Sequence, residues 1–139
     1  MDKTVLKISA EYREMLGELC LLDDDFWRVC MQDNEEAIEL ILRIALNDNK
    51  LKVTKVIIQK EMKNLIGHSL VLDVYATNGN GDEIDAEVQR DDAGAVAERA
   101  VYHSSTLDAN SLKKGEGDFR KKSETYTIFI TERDVLGGD

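Results

Sequence analysis

The stretch SLVLDVYATNGNGDEIDAEVQ, residues 69–89, restricts the fold more than any other part of the chain. In its first run Leu70, Leu72, Val74 and Ala76 share one side, and Val71, Asp73 and Tyr75 share the other. In its second run Ile84, Ala86 and Val88 alternate with Asp85, Glu87 and Gln89. Period-two alternation over short apolar runs predicts two strands, and Asn78-Gly79-Asn80-Gly81-Asp82 predicts the turn between them. A hairpin symmetric about Asn80 sets Thr77 opposite Glu83, Tyr75 opposite Asp85, Asp73 opposite Glu87 and Gln89 opposite Val71. Cross-strand partners have Cβ atoms roughly 5 Å apart, so this register gathers two carboxylates with Asp85 and the Gln89 amide beside them. Opposed like charges destabilise a sheet, and a divalent cation removes that cost. Oxygen-only ligands favour a hard ion, Mg²⁺ or Mn²⁺. A solvated polar hairpin face is the competing account, and Asp85 near the turn fits either.

The 139 residues suffice for one domain with a core, and 42% are hydrophobic. No apolar run reaches transmembrane length and no N-terminal segment resembles a secretory signal. Cys20 and Cys30 form no metal-ligand pattern and are expected to be reduced thiols, buried or nearly so. The net charge of −10 disfavours non-specific polyanion binding by the surface as a whole. The charge is unevenly spread, −8 over residues 1–89 and −2 over residues 90–139. Nucleic-acid binding would therefore need a local basic patch. Proline is absent, and no Pro-marked boundary divides the chain. The C-terminal DVLGGD follows directly on a strand-like segment, so the chain is expected to be the N-terminal part of a longer protein.

Residues 1–25 are expected to form an N-terminal helical extension, with Tyr12, Met15, Leu16 and Leu19 on one face. Asp23-Asp24-Asp25 reads as a loop or helix start before the semi-buried anchors Phe26 and Trp27. Asp33 is expected to cap the next helix, with Glu36 at the capping-box distance. Ile38, Leu40, Ile41, Leu42, Ile44, Ala45 and Leu46 make that helix apolar nearly all round, as if buried against a sheet. Its Glu35 and Glu39, four apart on one face, can approach the metal centre, but solubility and capping explain them more cheaply. A strand over 52–59 and a short helical or irregular link over 61–66 lead to His68 and the hairpin. Asp91-Asp92 is expected to begin a second helix whose inward stripe is Ala93, Val96, Ala97, Ala100, Val101 and Leu107. Arg99 on that helix can meet the acidic centre as a salt-bridge partner or phosphate ligand, the sequence favouring the former. Tyr102 is expected to be partly buried. LKKGEGDFRKK, residues 112–122, forms a basic loop carrying Lys113, Lys114 and Arg120, and a last strand spans 125–131. The order helix, three strands, helix, strand implies an α/β fold with a mixed sheet, the connection through the second helix returning the last strand parallel to a neighbour. No glycine-rich phosphate loop follows a strand.

Asp73 with the Glu87-Val88-Gln89 triplet resembles the signature of the PD-(D/E)XK nuclease superfamily. The likeness is closer to its bacterial branch of PD-(D/E)XK family transposases and Rpn-type recombination-promoting nucleases. It extends from about Phe26 to Leu136. It takes in the apolar helix, the hairpin, Arg99-x-x-Tyr102-His103, Leu112-Lys113-Lys114-Gly115 and the strand from Tyr126 to Ile130. The resemblance implies a restriction-endonuclease-like αβββαβ core over residues 26–139 and Mg²⁺-dependent hydrolysis of DNA, with Mn²⁺ as a substitute. It implies Asp73 and Glu87 as metal-binding carboxylates, joined by the Val88 backbone carbonyl. Gln89 matches the position usually held by lysine, and this branch commonly carries glutamine there. Arg99 and Tyr102 match the branch's helix residues, and Lys113, Lys114 and Arg120 are expected to support the substrate. Leu72 stands where the superfamily has proline, and His103 where a second tyrosine is frequent. A cytoplasmic bacterial protein linked to recombination or mobile elements follows from the same resemblance. Double-strand cutting needs two centres or repositioning of one, which makes a homodimer an open expectation. The alternative is a catalytically inactive nuclease-fold module for DNA binding or protein assembly, because an amide cannot act as a general base.

Overall fold

The computed structural model describes residues 9–64, 66–90, 94–135 and 137, and Tyr12 by its backbone alone. The expected helix start at Asp91, Asp92 and Ala93, and residues 1–8 of the N-terminal extension, lie outside the described residues. Helices α1 (Ala10–Glu18), α2 (Asp24–Met31) and α3 (Glu35–Ala45) precede strands β1 (Val53–Met62), β2 (Leu70–Asn78) and β3 (Glu83–Gln89). Helix α4 (Ala97–Ser111), a 3₁₀ turn (Phe119–Lys121) and β4 (Thr125–Thr131) complete the order.

The strands form one sheet in the order β1-β2-β3-β4. β1 and β3 each pair antiparallel with β2, and β4 returns parallel to β3 after the α4 crossover. The sheet is therefore mixed, with helices on both faces, and the fold is restriction-endonuclease-like. On one face Trp27 and Met31 of α2 and Ile38 and Leu42 of α3 pack against Val74, Ala76, Ile84, Ala86 and Val88. On the other, Leu107 of α4 packs with Met62, Leu72 and Tyr75.

The alternation expected along β2 breaks at Asp73. Val74 and Ala76 belong to the first cluster, whereas Leu72 joins Tyr75 in the second. Opposite this break, Gln59 of β1 adopts φ 54°, a left-handed conformation that interrupts the pleat. The strand thus changes face at the residue that carries the candidate carboxylate.

Several local expectations are corrected. The cap of α3 is Asn34, whose side chain accepts from Ala37 N, while Asp33 lies at φ 56°. α3 is buried on the Ile38–Leu42 stripe only, and Leu40 and Ile44 are exposed. β1 continues through Met62, so the link to β2 is shorter than expected. α4 begins at Ala97, and its inward stripe runs through Ala100, His103 and Leu107. Val101 is exposed because six residues at about 100° each put it roughly 120° away from Leu107. Met15 and Leu16 of α1, and Leu19 just past its end, are exposed. No helix among the described residues is long and apolar enough to cross a membrane.

Candidate active site

β2 and β3 pair as Thr77↔Glu83, Ala76↔Ile84, Tyr75↔Asp85 and Val74↔Ala86. One step further, side chains take over from the ladder. The Asp73 N–H donates to Glu87 Oε1 at 2.9 Å, and the Val88 N–H donates to Asp73 Oδ2 at 3.1 Å. Asp73 Oδ1 accepts from Gln59 Nε2 at 3.1 Å. Both Asp73 oxygens are thus engaged by N–H donors where the strand changes face, and its carboxylate borders a small hollow with Asp24, Trp27, Arg28 and Gln59.

Glu87 and Asp85 point to the α4 side and are almost wholly buried, at 1% and 0% exposure. α4 brings His103 over them. Its Nδ1 lies 3.0 Å from Asp85 Oδ2 and 3.8 Å from Glu87 Oε1. One donor atom from each of the three lies within 4.8 Å of the others, an arrangement suited to a metal ion. Asp85 Oδ1 and Glu87 Oε2 are buried without a hydrogen-bond partner. Such atoms are rare in folded proteins because each forfeits its hydration.

Burial raises the Glu87 carboxyl to about 8, assisted by the neighbouring Asp85 charge. Burial likewise raises Asp85 above the usual carboxylate range. His103 is held below its ordinary value, burial outweighing the pull of Glu87. The cluster therefore favours a neutral imidazole and a retained carboxyl proton, both of which a cation would reorganise.

Arg99, one turn before His103, reaches the same centre. Its Nη2 lies 3.6 Å from Glu87 Oε2, and its Nη1 donates to Gln89 Oε1 at 2.7 Å. Phe129 of β4 supports both α4 side chains, with the His103 ring edge-on at 5.5 Å and the Arg99 guanidinium 5.7 Å from its ring centre. Gly94 passes so close that a Cβ there would lie 2.6 Å from Gln89 Nε2. An open cleft of about 520 Å³, lined by His68, Ser69, Leu70, Val71, Arg99, Tyr102 and His103, leads to this edge. Tyr102 is more exposed than expected, and its hydroxyl donates to the His68 carbonyl at 2.6 Å.

Asp73, Glu87, Gln89 and Arg99 are thus brought together, with the Val88 peptide between them. The basic loop is not. Glu83 pairs with Thr125 and Gln89 with Thr131, so the loop ahead of Thr125 meets the opposite end of β3. Six residues of strand separate the two ends by roughly 20 Å. Arg120 pairs with Asp118, Lys121 with Glu116 and Lys122 with Asp108. Lys113 and Lys114 are exposed at that far end. The loop's cations therefore outweigh its acids by less than composition suggested. The sequence marks His103 only as standing in place of a tyrosine, and Asp85 fits either the site or a solvated turn; the structure buries both at the centre. The Arg99–His103 spacing of four was the available signal, since it puts both on one helix face.

A family model described as PD-(D/E)XK nuclease family transposase matches residues 29–137. No curated protein and no solved structure matches the chain.

Proposed function

We propose that this chain, which belongs to the PD-(D/E)XK nuclease family transposases, is a divalent-metal-dependent DNA endonuclease centred on Asp73, Glu87 and Gln89. The observation that carries the reading is the pair of bonds across β2 and β3, Asp73 N–H to Glu87 Oε1 and Val88 N–H to Asp73 Oδ2, which ties Asp73 to the Glu87-Val88 segment of the family signature. The residues fit a cation. Glu87 Oε2 is buried without a hydrogen-bond partner, and Asp73 Oδ1 becomes available by releasing the Gln59 amide. Asp73 and Glu87, with the Val88 carbonyl, are the proposed holders of Mg²⁺, with Mn²⁺ as its substitute. Such an ion lowers the pKa of water and offsets charge on a phosphoryl group.

The reaction is hydrolysis: a water oxygen bonds to phosphorus, the phosphorus–oxygen bond to the leaving deoxyribose breaks, and the leaving oxygen takes a proton. Gln89 accepts from Arg99 through Oε1, so its amide –NH₂ is the end turned to other partners. It orients a phosphate oxygen or water and takes no proton itself. Arg99, with 39% of its side chain exposed at the cleft, balances Glu87 and steadies the incoming phosphate. Tyr102 ties α4 to the approach to β2 and so keeps the cleft wall in place. DNA is the proposed substrate, and recombination or mobile-element processing the proposed setting.

The deciding assay is nicking and linearisation of plasmid, and cutting of single-stranded DNA, in Mg²⁺ or Mn²⁺. The Asp73→Ala and Glu87→Ala variants lose cleavage while keeping the wild-type circular-dichroism spectrum. Undiminished cleavage by the purified double variant refutes the site. The second reading, an inactive DNA-binding or assembly module, draws on the amide at position 89, which offers no general base. DNA retention without cleavage in any divalent ion favours it.

A further inference from the structure

Two aspartates flank Glu87, and the fold employs them differently. Both oxygens of Asp73 accept N–H donors, from Gln59 and Val88. Asp85 and Glu87 instead each bury one oxygen without a hydrogen-bond partner, and both lie beside His103 Nδ1. All three residues are at most 2% exposed. Two buried carboxyls that retain one proton between them and leave lone pairs unused are costly, and the only cation the described residues bring to them, the Arg99 guanidinium 3.6 Å from Glu87 Oε2, stands beside Glu87. Their donor atoms already lie within 4.8 Å of one another.

We infer that Asp85, Glu87 and His103 form a mixed oxygen-and-nitrogen cation position that takes a first-row transition ion in preference to Mg²⁺. Glu87 is shared with the Asp73 centre, and the inference rests on the metal-dependent reading above. Mg²⁺ demands oxygen donors and gives up water reluctantly, whereas an imidazole nitrogen suits the later divalent ions. The ring is pre-oriented, because Phe129 abuts its edge and α4 carries it over β3. His103 ligates through Nδ1 with its proton on Nε2, the tautomer opposite to the one that donates to Asp85. Arg99 is poised beside the shared Glu87 oxygen and limits the charge that accumulates there.

The test uses the whole chain, with Mn²⁺ as the probe. Pulsed electron paramagnetic resonance reads nitrogen coupling to the bound ion, and calorimetry compares Mn²⁺ with Mg²⁺. Wild type shows nitrogen coupling and binds Mn²⁺ about tenfold more tightly than Mg²⁺. His103→Gln abolishes the coupling and most of that preference. Asp85→Asn keeps the imidazole and the side-chain volume and weakens Mn²⁺ by about tenfold. Asp73→Asn keeps the nitrogen coupling. Bound Mn²⁺ without nitrogen coupling, or coupling that survives in His103→Gln, overturns the inference. Mg²⁺-supported plasmid cleavage with no nitrogen coupling overturns it and leaves the nuclease reading intact. Nitrogen-coupled Mn²⁺ without cleavage does the reverse.

Discussion

Replacing Glu87 by Gln removes one charge from the buried cluster while keeping the side chain's shape and its acceptor for the Asp73 N–H. The metal-free protein should become more stable in alkali. Glu87 is raised from an ordinary value of 4.5 to about 8, chiefly by burial. A carboxyl raised by folding holds its proton longer in the folded chain. Its contribution is complete below the unfolded value and disappears as pH rises through the folded one. Asp85 and His103 titrate mainly below pH 7, so the window from pH 7 to pH 9 isolates Glu87. Ionisation centred near pH 8 then costs the wild type about 1 kcal/mol of stability across that window. At pH 9 the Asp85 and Glu87 charges, with oxygens within 4.8 Å, repel by roughly 3 kcal/mol at an effective dielectric constant of 20. Glu87→Gln should therefore be flat from pH 7 to pH 9 and more stable than wild type at pH 9 by roughly 3 kcal/mol. Urea denaturation followed by the fluorescence of Trp27, the one tryptophan and 4% exposed, reads both quantities. A variant that keeps the wild-type slope, or is less stable at pH 9, refutes the reasoning.

Gly94→Ala places a Cβ 2.6 Å from Gln89 Nε2 and must push a flexible side chain aside, so the fold survives while the Gln89–Arg99 pair shifts. Cleavage should slow by about 10- to 100-fold with an unchanged urea midpoint, and an unchanged rate removes Gln89 from the mechanism. Leu107→Ala empties a position 1% exposed between α4 and the sheet, and should cost about 2–5 kcal/mol in urea denaturation. A loss below about 1 kcal/mol would mean that α4 is not anchored there.

The sequence by itself determined the hairpin, its register from Thr77↔Glu83 to Tyr75↔Asp85 and the order of elements along the chain. Residues 70–89 alternate with period two around a glycine-rich turn, and a one-residue slip would have turned Ile84, Ala86 and Val88 out of the core. The parallel return of β4 was likewise legible, because a helix-length connection separates it from β3. The approach of Glu87 to Asp73 is consistent with that register, though it is the Asp73 N–H that meets the Glu87 carboxylate. Tertiary structure alone showed that β2 changes face at Asp73, across from the left-handed Gln59 of the neighbouring strand. It also decided that Asp85 is buried rather than solvated, because its cover comes from α4, whose phase depends on where the helix starts. His103 joined the acids for the same reason: 18 residues separate it from Asp85, and only the crossover closes that gap. Local pattern carries the strands and their pairing, while the depth of a charge and the identity of its neighbours depend on elements packed over it from elsewhere in the chain.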